Sequence, residues 1–227
     1  MSGAIPVALI PGAGGRAWLW HLVEADLRSR GFDAFAVDLP ADDPDKGLPD
    51  YAESVLAAIG GRTDVAIVAH SLGAFTAPLV WQRVPTRQVV FFNAMIPLPG
   101  ETPGGWWDNV GSEPARTAAA ERDGYPAAFD LDTYFMHDIP PDIAAEMHGR
   151  ETPQSDGPFG DVCTFERWPD IPIGAVASRD DRFFPLDLQR RIARDRLGVD
   201  VQVVPGGHLS ALSHPAELST VLAETLL

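Results

Sequence analysis

Four groups of residues in this chain have the types and order that nucleophilic catalysis needs. The first is Ser71 in VAIVAHSLGAF (residues 65–75), where an apolar run ends in His70-Ser71 and Gly73 follows two places later. A tight strand-to-helix turn needs small residues two before and two after its serine, because larger ones would collide with the neighbouring strand and helix. Ala69 and Gly73 meet that demand. Such a nucleophile elbow, G-x-S-x-G with Ala69 in place of the first glycine, points the hydroxyl outward. It also turns the next backbone N–H, that of Leu72, toward a developing oxyanion. The competing reading is a serine that merely caps the following helix. A catalytic serine also demands a base, an orienting carboxylate and a second oxyanion donor, so the two readings can be told apart.

The base is expected in a loop after a late strand, and VQVVPGGHLSAL supplies His208 behind two glycines that let the loop fold back. His21, His137 and His148 read as surface or satisfied core residues, and His214 before Pro215 as a helix start. His70 adjoins the serine but sits on the strand side of the turn, awkwardly placed to reach its neighbour's oxygen. The acid is expected after the preceding strand, where PIGAVASRDDRFFP offers Asp180 and Asp181, one of which could instead cap the next helix. Asn93, ending an earlier strand, is an amide and cannot supply the charge that stabilises an imidazolium. The second oxyanion donor is expected after the first strand, in LIPGAGGRAW, with the Ala13 N–H as candidate. That loop lacks the G-x-G-x-x-G spacing and lysine of a phosphate cradle, and Lys46 is the chain's single lysine.

Short apolar runs alternating with amphipathic segments are what must position these groups, the pattern of a parallel sheet built from βαβ units. Strands are expected at 6–10, 33–39, 64–69, 88–94, 172–178 and 200–205, and helices at 18–30, 50–59, 72–84, 186–197 and 215–226. Gly31 and Gly60 suit helix C-terminal caps and Pro215 the first turn of the last helix. From 96 to 170 the alternation fails and Pro, Gly and aromatic residues dominate, with short helices expected at 114–122 and 141–148. A stretch that long inside one domain carries structure of its own. It reads as a cap inserted over the sheet's ligand edge, within a single domain spanning 1–227.

Composition narrows the partners. Of 227 residues, 32 are acidic and 17 basic, a net charge of -15, which argues against nucleic acid or an anionic membrane surface. Cys163 is the one cysteine, so no internal disulfide can form. The N-terminal MSGAIPVALIPGAGG lacks a basic leader and is interrupted by Pro6 and Pro11, so it reads as a first core strand and not a signal peptide. With no apolar run of membrane-spanning length, a soluble cytoplasmic protein is the expectation. The partner is then a small-molecule substrate; no metal or cofactor is called for. The oligomeric state, a homodimer included, is left open.

The order oxyanion loop, Ser, Asp, His resembles that of the α/β-hydrolase superfamily, and the likeness runs over nearly the whole chain. It implies an α/β-hydrolase fold: a mostly parallel central sheet flanked by helices, with a small cap inserted before the late strands. VALIPGAGGRAWLWHLVEADLRSRGFDAFAVDLP is similar to the opening of the small-cap esterases related to plant salicylate methyl esterases and hydroxynitrile lyases. Those begin the oxyanion loop with H-G-x, where this chain has Pro11-Gly12-Ala13. SRDDRFFPLD resembles the acid loop of the meta-cleavage C–C hydrolases and so implies Asp181, whereas the lyase spacing implies Asp180. Ser71 excludes the haloalkane dehalogenases, which carry aspartate there. Leu209 stands where the lyases keep a lysine and argues against cyanohydrin cleavage.

The activity implied is hydrolysis of a small, mainly apolar or aromatic carboxylic ester through an acyl-enzyme. Trp18, Phe75, Trp106, Trp107, Phe135, Phe183 and Leu209 are the candidates for substrate contact. C–C hydrolysis of a diketone-like substrate and non-catalytic ligand binding are the alternatives.

Overall fold

The computed structural model describes residues 3–227. Its centre is a six-stranded sheet of β1 (Pro6–Ile10), β2 (Asp33–Ala36), β3 (Val65–His70), β4 (Thr86–Phe92), β5 (Ile173–Ser178) and β6 (Gln202–Val204). The strands lie in the order β2-β1-β3-β4-β5-β6, and all five pairings are parallel. Side chains alternate between faces with a period of two. Thus Ala8, Ile10, Ile67 and Ala69 join one core while Val7, Leu9, Ala66 and Val68 join the other. Both faces are covered, which is why these strands read as nearly unbroken apolar runs.

The first face is covered by helices α2 (Leu48–Ile59), α3 (Ala77–Trp81) and α7 (Leu186–Leu197); the second is covered by α1 (His21–Ser29), the short α8 (Ser210–Ser213) and α9 (Pro215–Leu226). Helix α2 buries Leu48, Tyr51, Ala52, Val55 and Ile59, one stripe at helical spacing. It starts two residues earlier than expected because Asp50 reaches back to the Gly47 N–H at 3.1 Å. The helix expected over 72–84 is broken into a 3₁₀ turn, Ser71–Phe75, and α3. Pro78, which has no N–H to give, falls in the first turn of α3, a position that wastes no hydrogen bond. Similarly, a 3₁₀ turn at Ala17–Trp20 precedes α1. Strand β2 is shorter than the expected 33–39. β4 ends before Asn93, whose φ of 42° takes the chain out of extended geometry.

Between β4 and β5 the chain forms α4 (Pro103–Asn109), α5 (Ser112–Asp123), a π turn at Asp132–Met136 and α6 (Pro141–Met147). α4 lies outside the expected helices. Its entry is fixed by Thr102, whose hydroxyl accepts from the Gly105 N–H at 3.0 Å. The segment is tied to α7 by a buried ion pair, Glu101–Arg196, at 2.5 Å, with side-chain exposures of 4% and 7%. Arg196 also donates to the Ile96 carbonyl at 2.7 Å, and Glu101 accepts from Asn109 and the Leu98 N–H. Removing one partner would leave a buried charge unmatched, so Arg196→Met is expected to cost about 3–5 kcal/mol. The shift in denaturation midpoint measures it, and a shift near zero would show that the pair does not hold the segment.

Candidate active site

At the C-terminal edge of the sheet, β3 runs directly into Ser71. The serine has φ 50°, a left-handed conformation that is strained for a side chain with a Cβ. The turn leaves no room beside it. A Cβ on Gly73 would be driven into the Pro11 carbonyl, and one on Gly12 would lie 2.8 Å from Ser71 Cβ. These glycines let the β1 loop and the serine turn approach each other. Leu72 is the second residue of the 3₁₀ turn, so its N–H has no acceptor within that turn, and Ala13 occupies the interior of a turn closed by the Gly15 N–H on the Gly12 carbonyl at 3.1 Å.

Ser71 Oγ lies 3.0 Å from His208 Nε2, and His208 Nδ1 lies 2.8 Å from Asp181 Oδ2. A carboxylate only accepts, so Nδ1–H donates to Asp181 and Nε2 is left to accept from the serine hydroxyl. The other oxygen of Asp181 accepts from the Phe183 and Phe184 N–H groups at 2.8 and 2.9 Å. Asp180, its neighbour, faces away. It pairs with Arg179 and accepts from the Gly206 N–H at 3.1 Å, bracing the loop before His208. Burial works to raise the Asp180 carboxyl, but Arg179 and the Gly206 N–H outweigh it and hold the group below its usual range. The Cys163 thiol, by contrast, is buried and pushed up to about 12, so it is no rival nucleophile.

The three groups are nearly closed off from solvent: Ser71 is 6% exposed, Asp181 4% and His208 1%. The rings of Phe135, Phe183 and Phe184 stand 5.0, 5.2 and 5.0 Å from the His208 ring. Such apolar walls strengthen every charge interaction made inside them.

Of the aromatics proposed for substrate contact, Phe183 and Phe135 therefore do lie beside the site. Trp107 packs on Phe183 at 5.5 Å. Leu209 and Trp18 belong to a small apolar cluster with Phe135. Phe75 and Trp106 are placed differently: both are fully buried in the larger core, and the Trp106 indole N–H is spent on the Ile96 carbonyl at 3.0 Å. The segment between β4 and β5 needs large side chains for its own packing, and Trp106 fills that need.

Two polar residues that sequence reasoning passed over also converge here. Asp138 accepts from the Gly207 N–H and from Ser213, both at 2.7 Å. Gln154 accepts from the Gly14 N–H at 3.1 Å, so the segment between β4 and β5 holds both the His208 loop and the β1 loop. No local pattern marks either residue. A groove of about 590 Å³ lined by Arg122, Tyr125, His137, Asp180, Asp181 and His214 opens behind the carboxylate, not in front of Ser71.

This arrangement, on this sheet, defines an α/β hydrolase. The family model for the alpha/beta hydrolase family matches residues 7–221, and the chain belongs to that family. It is 26% identical to methylesterase 7 of Arabidopsis thaliana over 92% of this chain and 91% of that protein. Among solved structures it is similar to a pyrethroid hydrolase from Sphingobium faniae, with TM-score 0.72, 21% identity and coverage of 97% and 96% of the two chains. An Arabidopsis methylesterase superposes with TM-score 0.77 at 16% identity, covering 98% of this chain and 99% of that one. Among the described residues no helix is long and apolar enough to cross a membrane.

Proposed function

We propose that the protein is a carboxylesterase that cleaves a small, mainly apolar or aromatic ester through an acyl-enzyme. The observation that carries this is the unbroken run of hydrogen bonds Ser71–His208–Asp181, at 3.0 and 2.8 Å, on a strained elbow. His208 takes the proton from Ser71 as its oxygen attacks the ester carbonyl. The Leu72 and Ala13 N–H groups receive the charge that develops on the carbonyl oxygen. Asp181 keeps the imidazole in the productive tautomer and stabilises the imidazolium. His208 then gives its proton to the departing alkoxide, and water, activated by the same imidazole, hydrolyses the acyl-enzyme. Segment 96–170 acts as a cap, with Phe135 and Phe183 as the apolar wall nearest the reacting atoms. The ester activity is in keeping with the methylesterases and esterases among its relatives.

The test is product analysis on two probe sets, aryl and methyl esters of increasing acyl length and a 1,3-diketone. Turnover of the esters alone, with a rate that depends on acyl length and a profile altered in Phe183→Ala, is expected. Cleavage of the diketone carbon–carbon bond, or stoichiometric retention of the ester without products, would replace this reading by one of the alternatives.

A further inference from the structure

The buried ring of His70 has no part in the chemistry just described. It is 2% exposed and lies between Trp20, Phe92 and His208, with ring centroids at 6.1, 5.2 and 4.8 Å. A phenyl or leucine side chain would fill that space without a desolvation cost, yet an imidazole stands there and its Nδ1 is buried with no hydrogen-bond partner among the described residues. What the imidazole gains is at Nε2, which lies 3.0 Å from the backbone carbonyl oxygen of His208. A carbonyl can only accept, so Nε2 carries the hydrogen and Nδ1 is bare. Burial, with the neighbouring His208 ring, holds His70 well below its usual range and so in the neutral form this bond uses.

The same carbonyl takes a second hydrogen bond. Asn93 Nδ2 donates to it at 3.1 Å and to Ser178 Oγ at 2.8 Å, while Asn93 Oδ1 accepts from the Ser178 N–H at 2.7 Å. Both lone pairs of the His208 carbonyl are thereby occupied, from β3 and from the end of β4. Asn93 also lies within 3.4 Å of Gln189 Nε2, which in turn lies 3.3 Å from Asp181 Oδ2. His70 touches the oxyanion side too, since a Cβ on Gly12 would come within 3.0 Å of its Nδ1.

We propose that His70 and Asn93 are positioning residues that clamp the His208 carbonyl and so fix the imidazole between Ser71 and Asp181. The proposal rests on the reading of Ser71 as nucleophile and His208 as base. His70 is the residue adjoining the serine in sequence and packs against the loop that carries Gly12, so one side chain sets nucleophile, base and oxyanion loop in register. The amide of Asn93 is required as such, because a carboxylate there would face the His208 oxygen as one acceptor against another.

His70→Phe keeps the ring packing and removes the donor, and His70→Gln restores an N–H at a similar reach. Steady-state kinetics on an aryl acetate should show kcat about tenfold lower in His70→Phe, the size of one hydrogen bond, with KM unchanged. His70→Gln should recover most of the loss. Wild-type kcat in a folded His70→Phe or Asn93→Asp protein, or a loss that His70→Gln shares, would overturn the clamp while Ser71-dependent turnover stands. A wild type without Ser71-dependent turnover would overturn the catalytic reading and the clamp together. Nitrogen-15 NMR of the histidine-labelled wild type reads the same bond without a variant. A neutral Nε2–H tautomer for His70 throughout the active pH range is expected. An Nδ1–H tautomer, or a His70 that protonates in step with the loss of activity, would overturn the clamp.

Discussion

Asp181→Asn is expected to lower kcat by about ten-thousand-fold, with KM little changed, whereas Asp180→Asn should stay near the wild-type rate. The two side chains are neighbours of one chemical type, and their surroundings separate them. Asp181 Oδ2 accepts from His208 Nδ1 at 2.8 Å, and its Oδ1 is fixed by two backbone N–H groups. An amide in its place can keep those N–H contacts through its oxygen, but it then turns its NH₂ toward His208. The imidazole answers by moving its proton to Nε2, which can no longer accept from Ser71. Asp180 makes only an exposed pair with Arg179 and the Gly206 contact, so its loss should loosen the loop and little more. Steady-state kinetics on one aryl ester decides the matter. The reverse ranking would place the orienting charge one residue earlier than the hydrogen bonds do.

Ser71→Ala should cost still more, about a million-fold in kcat, because the acyl-enzyme cannot form and the remaining groups act on water alone. Substrate binding is expected to survive, since the apolar wall of Phe135 and Phe183 is untouched. The variant should be at least as stable as the wild type. Among the described residues the serine hydroxyl makes one hydrogen bond, to His208, and removing a side-chain oxygen from a crowded turn creates little cavity. Turnover surviving in this variant would point to another nucleophile, and Cys163, buried with a raised pKa, is not a plausible substitute.

Much of this site is legible in the sequence because each piece sits at the end of a strand, and strands buried on both faces are the strongest pattern in the chain. VAIVAHSLG places Ser71 and Gly73, and VVPGGH places His208, since a glycine pair after a strand has few other uses. The aspartate pair is less legible: the resemblance of the acid loop favours Asp181 over Asp180, and it is the hydrogen bonds that set the two apart. Sequence spacing leaves Asp180 and Asp181 one residue apart, and a one-residue step turns a side chain to the other side of the loop. The elbow also misleads: a serine before a helix pattern suggests one continuous helix over 72–84, but the strain at Ser71 and the placement of Pro78 divide it. The aromatics of the segment between β4 and β5 are the least legible. Trp106 and Trp107 are adjacent and identical in type. One is core and the other packs on Phe183, and which is which depends on how α4 sets the two rings against Phe183, Phe184 and the larger core. Asp138 and Gln154, whose roles are contacts with distant loops, carry no local signature at all.

Whether Ser71 is the activated nucleophile is decided by treating the folded protein with a fluorophosphonate probe, followed by intact mass and peptide mapping. One adduct per chain is predicted, carried on Ser71, absent from Ser71→Ala and formed much more slowly in Asp181→Asn. An adduct on any other residue, or an unmodified Ser71 in a protein that hydrolyses esters, would contradict that role for Ser71.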